Sequence, residues 1–169
     1  MAKLRKKKMT TKDNLEEAFA GESQANRKYL AFAKKAKEEG KNQVAKLFRA
    51  AADAETVHAM NHLDVLGMVG STEENLKEAV EGETHEFTNM YPDMIEKAKE
   101  EGNSAAERSF TLANKVEKVH AALYKKALDG DLEEREIHVC QVCGNTVEGD
   151  VPDTCPICGA PKEKFKKID

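Results

Sequence analysis

Apolar and polar residues recur with a helical period through most of the chain. Between residues 11 and 129, apolar side chains repeat at spacings of three and four, and Pro92 is the only proline. This spacing places the apolar side chains on one face of a helix. The predicted helices span residues 11–39, 43–67, 72–101 and 104–129.

The predicted boundaries carry signals for helix ends. Gly40 and Gly102 each follow a Glu-Glu pair, and glycine readily adopts the left-handed backbone that ends a helix. Asn42 and Asn103 come next as candidate N-caps, because an Asn side chain accepts a hydrogen bond from a free amide of the first turn. Residues 71–74, Ser-Thr-Glu-Glu, fit a capping box.

The helical part contains an internal repeat. Residues 14–23 (NLEEAFAGES) and 75–84 (NLKEAVEGET) are near copies at a separation of 61 positions. From Tyr29 onward, which corresponds to Tyr91, the separation is 62. The chain is therefore interpreted as a duplicated helical hairpin, and two hairpins that share a core form a four-helix bundle.

The second copy holds one extra residue, between Glu83 and Tyr91. An insertion inside a helix is commonly accommodated as a π-helical turn, and such turns often lie at functional sites. Pro92 follows directly and also removes a helical hydrogen bond. We therefore expect the third helix to be irregular in this segment.

Each predicted helix carries at least one carboxylate within its apolar seam. Carboxylates that meet inside a bundle repel one another and lose their hydration, so either their pKa values rise strongly or cations hold them. Two divalent ions would offset most of the charge. The five residues are Glu22, Glu55, Glu83, Glu86 and Glu117.

Two of the helices carry the same Glu-x-x-His motif, Glu55 with His58 and Glu117 with His120. Residues three apart lie on one helix face, so each pair can bind one ion. One Glu from each of two helices with Glu-x-x-His from two others is the pattern of di-metal carboxylate sites in ferritin-like bundles. These oxygen and nitrogen donors suit iron or manganese, and zinc remains an alternative.

Two tyrosines accompany the glutamates. Tyr29 lies two turns beyond Glu22 on the same face, and Tyr91 is its counterpart. Buried hydroxyls need polar partners, so both are predicted to donate to the carboxylates; the alternative is that they are plain core aromatics.

The other histidines have weaker cases. His62, one turn beyond His58, either supports the ligands or is a partly buried core residue. Glu81 and His85 point away from the ligand face and are predicted to be surface residues. No role is assigned to His138.

The cysteines form two Cys-x-x-Cys-Gly turns near the end of the chain. Such turns build a tetrahedral thiolate cage for zinc or iron, and the alternative is two disulfides or free thiols. A segment this short lacks a self-sufficient core, so the metal is part of its fold. A bundle domain (1–134) and a metal module (135–169) are therefore predicted. The ligands are Cys140, Cys143, Cys155 and Cys158.

Composition and charge narrow the class of protein. Aromatic residues make up 5% of the chain and its net charge is −4, which indicates a helical protein without a nucleic-acid or membrane partner. No apolar run follows the basic residues 1–8, so they are interpreted as a solvated N-terminus rather than a secretory signal. A soluble, cytoplasmic protein is expected.

These motifs resemble those of the rubrerythrin family. LEEAFAGES, ETVH, GETHEF, EKVH and CPICGAPKEKF together cover nearly the whole chain. The resemblance implies an all-α, ferritin-like four-helix bundle with two non-haem irons. A small, β-rich, rubredoxin-like module with one iron on four cysteines would follow it, and zinc substitution is possible.

The resemblance also implies a role for each ligand. Glu55 and Glu117 would bridge the two irons. Glu22 would be a terminal ligand of the first iron, and Glu83 and His120 of the second.

The remaining implied roles concern exchange of ligands. Glu86 and His58 would be alternative ligands of the first iron, which moves with its redox state. Together with Tyr29 and Tyr91 they are the expected catalytic residues.

The activity that the resemblance implies is reduction of hydrogen peroxide to water in oxidative-stress protection. Electrons would come through the FeS4 centre from a rubredoxin or an NAD(P)H-linked reductase. A homodimer or higher homo-oligomer is expected, with the FeS4 centre of one subunit near the di-iron site of the other. The alternatives are iron oxidation and storage, an O2-reducing oxidase or oxygenase, and a structural zinc module.

Overall fold

The computed structural model describes residues 9–169, so the basic segment 1–8 lies outside the described residues. None of the described helices is both long and apolar enough to cross a membrane. The chain divides into two compact units, between Gly70 and Ser71. The helices are α1 Thr11–Glu38, α2 Asn42–Leu66, α3 Thr72–His85, α4 Tyr91–Glu100 and α5 Ser104–Leu128, and the strands are β1 Ile137–Cys140, β2 Thr146–Glu148 and β3 Phe165–Ile168.

The first unit is a hairpin of α1 packed along α2. Alanines are buried on both helices, among them Ala33 and Ala36 on α1 and Ala45 and Ala52 on α2. Small side chains at a helix contact let the two backbones approach closely. A short turn through Gly40, whose φ is 75°, joins the helices, so they run antiparallel.

The prediction that Asn42 caps α2 is wrong by one position. The N-cap is Lys41, whose carbonyl accepts the first helical hydrogen bond, from the amide of Ala45. In the second unit Asn103 is the cap, and its side chain accepts a hydrogen bond from the amide of Ala106 at 3.1 Å. The cap follows its glycine directly in both units, and at the repeat separation of 62 Lys41 corresponds to Asn103.

The second unit opens with the irregular third helix that the insertion predicted. Ser71 and Glu74 form the predicted capping box at the start of α3. Between α3 and α4 the backbone makes a π-helical turn, Glu86–Met90, and Pro92 then lies in the first turn of α4, where its missing N–H is least costly. Both α3 and α4 pack against α5.

The C-terminal module completes the second unit. Its three strands form an antiparallel sheet in the order β2-β1-β3. An ion pair between Lys126 of α5 and Glu148 of β2, with 2.7 Å between Nζ and Oε2, ties the sheet to the helix. The predicted fold class, a mainly helical protein with a small β-rich metal module, is confirmed.

Candidate metal centres

The four cysteine sulfurs converge in the C-terminal module. Sγ of Cys140 lies 3.7 Å from that of Cys158, and Sγ of Cys143 lies 3.6 Å from that of Cys155. Sulfurs bound at about 2.3 Å to one tetrahedral ion are about 3.8 Å apart. The cage therefore already has the dimensions of a tetrahedral metal–thiolate site.

The backbone around the cage favours one thiolate in particular. Burial opposes ionisation of Cys155, but the amides of Cys158 and Ile157 and the neighbouring thiols outweigh it and lower the pKa of Cys155 to about 7. Burial is the main cause that raises the pKa of Cys143. Metal binding must release the remaining protons, so uptake at this site depends on pH.

The first Glu-x-x-His motif builds a cluster on the hairpin of α1 and α2. His58 Nδ1 lies 2.9 Å from Oε2 of Glu55 and 3.9 Å from Oε1 of Glu22. Nitrogen and oxygen ligands at right angles, each about 2.1 Å from one metal, are about 3 Å apart. Glu55 and His58 therefore fit a shared ion. The His58 side chain is 53% exposed.

The second motif builds an equivalent cluster from α3 and α5. His120 Nδ1 lies 2.9 Å from Oε2 of Glu117 and 3.7 Å from Oε1 of Glu83. The His120 side chain is only 25% exposed. Its second nitrogen, Nε2, lies 3.0 Å from the hydroxyl of Thr146 in β2.

Crowded carboxylates change the acidity of the second cluster. Burial, followed by the charge of Glu117, raises the pKa of Glu83 to about 7. Tyr91 is affected by the same charges: burial and then Glu117, Glu86 and Glu83 raise the pKa of its phenol. A carboxyl group with a pKa of about 7 is about half protonated at neutral pH, so a metal ion that binds it must displace that proton.

The structure places the two tyrosines differently. Tyr91 lies within the electrostatic reach of Glu83, Glu86 and Glu117, and its ring packs 6.3 Å from that of Phe110. The ring of Tyr29 lies among aromatics, 6.2 Å from both Phe32 and Phe48. Among the described residues, neither hydroxyl makes a hydrogen bond.

Glu86 stands apart from the other candidate ligands. It opens the π-helical turn, close enough to contribute to the raised pKa of Glu83. It does not belong to the three-residue cluster of Glu83, Glu117 and His120, whose ligand atoms lie within 4.8 Å of one another.

Comparisons with known proteins agree with this geometry. The sequence profile of rubrerythrins matches residues 13–128, and that of the rubrerythrin rubredoxin-like domain matches residues 138–166. The chain belongs to the rubrerythrin family. It is 36% identical to rubrerythrin-2 of Clostridium acetobutylicum over 95% of this chain and 97% of that protein. It is 39% identical to nigerythrin of Nitratidesulfovibrio vulgaris over 92% of this chain and 85% of that protein.

Solved structures add the metals. The chain is similar to the fully reduced, all-ferrous state of nigerythrin, at 36% identity and a TM-score of 0.57 over 99% of this chain and 91% of that one. A rubrerythrin is an oxidoreductase, and the rubredoxin-like domain gives it a role in electron transfer. The predicted cofactors, a di-iron carboxylate–histidine site and an iron on four cysteines, are thereby confirmed.

The other polar residues singled out from the sequence lie around these sites. Glu81 and His85 are exposed, as predicted, and His62 is half-buried. His138 lies in β1 with a buried Nδ1 that has no hydrogen-bond partner among the described residues.

Sequence reasoning missed two residues that support the clusters. Asn26 is buried, and its amide donates to the carbonyl of Ala52 at 2.7 Å and to the hydroxyl of Thr56 at 2.8 Å, which ties α1 to α2 next to Glu55. Thr146 contacts His120 from a separate module. Asn26 interrupts an otherwise apolar contact and could have been noticed, whereas no spacing rule relates Thr146 to His120.

Proposed function

We propose that this chain is a peroxidase that reduces hydrogen peroxide to water, with electrons that enter at the four-cysteine site. One observation carries the proposal: a di-metal carboxylate ligand set occurs in the same chain as a thiolate cage that is docked on a ligand-bearing helix. An iron store needs no incoming electrons and hence no such cage. The pairing therefore favours a reductase over storage.

The proposed ligand set draws on residues of both clusters. Glu55 and Glu117 are proposed as bridging ligands, Glu22 as a terminal ligand of the first iron, and Glu83 and His120 as terminal ligands of the second. When bound, two ferrous ions supply the two electrons that cleavage of the O–O bond requires, and the iron on the cysteines carries one electron at a time. The domains proposed for these roles are residues 1–134 and 135–169.

Two side chains are proposed to exchange as iron ligands, and two phenols are proposed to donate protons. The exposed His58 ring is free to leave its position beside Glu55, and Glu86 lies in the backbone irregularity of the second unit, so these two side chains are proposed to exchange as ligands. Tyr91 keeps its proton because its pKa is raised, and it is available as a donor beside the carboxylates. Tyr29 is proposed as the corresponding phenol of the first unit.

The physiological partners belong to the same proposal. The electron donor is proposed to be a rubredoxin or an NAD(P)H-linked reductase. We also propose a homodimer, because α2 leaves apolar side chains more than half exposed and association would cover them. These residues are Leu47, Val57, Met60 and Val65. Light scattering of the native protein tests this point, and a cage-sized assembly would favour storage instead.

The deciding experiment is anaerobic reduction of the holoprotein, followed by one equivalent of peroxide, with both iron centres monitored spectroscopically. We expect rapid oxidation of the di-iron site and slower oxidation of the cysteine-bound iron. In Cys158→Ser, donor-driven turnover should be lost, while a single oxidation of the prereduced di-iron site remains. Normal donor-driven turnover in that variant would rule out the cysteine site as the electron entry.

A further inference from the structure

A threonine hydroxyl joins the cysteine module to a metal-binding histidine. Thr146 is the first residue of β2, three positions after Cys143. Its Oγ1 lies 3.0 Å from His120 Nε2 and 3.3 Å from the carbonyl oxygen of Gly144. All of these residues belong to the second compact unit.

The direction of these hydrogen bonds follows from their chemistry. A carbonyl oxygen only accepts, so the Thr146 hydroxyl donates its single proton to Gly144. Its oxygen is then available to accept from His120 Nε2–H, the tautomer that a metal bound at Nδ1 requires. In that tautomer the lone pair is on Nδ1, the atom that lies 2.9 Å from Glu117 and 3.7 Å from Glu83, and the metal takes the place of the proton that these atoms share in its absence. The nitrogen that faces the carboxylates is therefore the one that can bind a metal.

The surroundings hold Thr146 in place. The ion pair between Lys126 and Glu148 fixes β2 on α5 two residues away. Apolar side chains, including Leu76 and Leu123, line a cavity of about 280 Å³ beside the contact. Such surroundings strengthen a hydrogen bond, because less water competes for it.

We propose that Thr146 is a positioning residue of the di-iron site, through which the folded cysteine module sets the tautomer and the ring orientation of His120. Iron binding at the carboxylate site thereby becomes dependent on the state of the cysteine module. His58 has no such support, since among the described residues its Nε2 makes no hydrogen bond. The inference rests on the proposed role of His120 as an iron ligand and is independent of the substrate.

The test uses the full-length protein and three variants. Thr146→Val keeps the shape of the side chain and removes the hydroxyl, whereas Thr146→Ser keeps the hydroxyl. Thr154→Val makes the valine substitution at an exposed position of the same module. In the zinc-loaded chain, imidazole ¹H–¹⁵N spectra should show His120 bound through Nδ1, with a slowly exchanging Nε2–H. In Thr146→Val that proton should exchange faster.

Ferrous-ion affinity of the carboxylate site, measured by anaerobic competition with a chelator, gives the second readout. Loss of a partner that orients a ligand lowers metal affinity by about 10- to 100-fold, and we expect this in Thr146→Val. Thr146→Ser and Thr154→Val should stay near wild type. An unchanged affinity and Nε2–H exchange in Thr146→Val would overturn the inference, as would an equal loss in Thr154→Val.

A fourth variant separates this inference from the ligand assignment. If His120→Ala binds iron at the carboxylate site as tightly as wild type, His120 is not a ligand and the proposed ligand set fails. If His120→Ala loses iron but Thr146→Val does not, the ligand set stands and only the positioning role of Thr146 is wrong.

Discussion

The two Glu-x-x-His clusters have the same ligand spacing but different surroundings. In both, histidine Nδ1 lies 2.9 Å from a glutamate oxygen three residues earlier. His58 is mostly exposed and unsupported at Nε2, whereas His120 is largely covered and hydrogen-bonded to Thr146. The repeated helix therefore sets the ligand geometry, and the surroundings set how freely each ring can move.

The largest expected difference between the clusters concerns iron affinity. Loss of a residue that orients a ligand lowers metal affinity by about 10- to 100-fold. Loss of His120 itself, the proposed ligand, should therefore lower iron affinity by more than about 100-fold. His58→Ala should lower iron affinity less, because Glu86 is proposed to replace it as a ligand. Anaerobic iron titration of His120→Ala and His58→Ala measures both, and equal losses would contradict the difference between the clusters.

The proposed exchange of Glu86 and His58 as ligands should affect the rate of peroxide turnover. Glu86→Ala is expected to lower kcat by about tenfold, equivalent to about 1.4 kcal/mol of barrier, with the helical content unchanged. His58→Ala should have a milder effect. Stopped-flow oxidation of the reduced protein is the measurement, with Glu81→Ala, at an exposed position near the end of α3, as a control. Unchanged rates in both Glu86→Ala and His58→Ala would eliminate the exchange.

A buried amide offers a third contrast, in stability. Asn26→Ala removes the amide that donates to the hydroxyl of Thr56 and to the carbonyl of Ala52, although Ala52 still accepts from the Thr56 hydroxyl. We expect a loss of about 1–3 kcal/mol in the free energy of unfolding. Thr88, in the π-helical turn, offers a comparison, because its exposed hydroxyl donates to the carbonyl of Thr84 one turn earlier. Chemical denaturation of Asn26→Ala should therefore show a larger loss than Thr88→Ala.

A fourth contrast is a pH dependence specific to the second cluster. Burial and then the charge of Glu117 raise the pKa of Glu83 to about 7 in the folded chain, above the 4.5 that is ordinary for a glutamate. The metal-free folded state therefore holds this proton more tightly than the unfolded chain does. The contribution of Glu83 to stability is fully present below about pH 4.5 and is lost as pH rises through about 7. Thermal unfolding of Glu83→Gln at pH 5 and pH 8 should show a smaller decline than wild type.

The pH prediction has a control variant, Glu81→Gln, and a second readout, the pH dependence of iron affinity. Glu81→Gln, at an exposed position of the same helix, should decline with pH as wild type does. As a proposed ligand, Glu83 must lose its proton when iron binds, so iron affinity should fall as pH drops below about 7, while the proton stabilises the metal-free fold. If Glu83→Gln declines as steeply as wild type, Glu83 is not the group responsible.

Much of the site was predictable because its residues are close in sequence. Glu55 and His58 share a face through the geometry of one helix, and Cys140 and Cys143 share a turn. The extra residue before Tyr91 predicted the π-helical turn, since a helix has few ways to absorb an insertion. The N-cap of α2 is Lys41 and not Asn42, because the position directly after Gly40, and not the residue type, decides where the helix begins.

Periodicity, the duplicated motif and the cysteine spacing were sufficient for the helices, the ligand types and the metal classes, because each depends on repeats of a few residues. The tertiary structure decided that the ring of His120 is hydrogen-bonded to Thr146, whereas the ring of His58 is mostly exposed. The contact between Thr146 and His120 joins residues 26 positions apart in different elements. Burial, which raises the pKa of Glu83, likewise depends on what packs around a side chain and not on its neighbours in the chain.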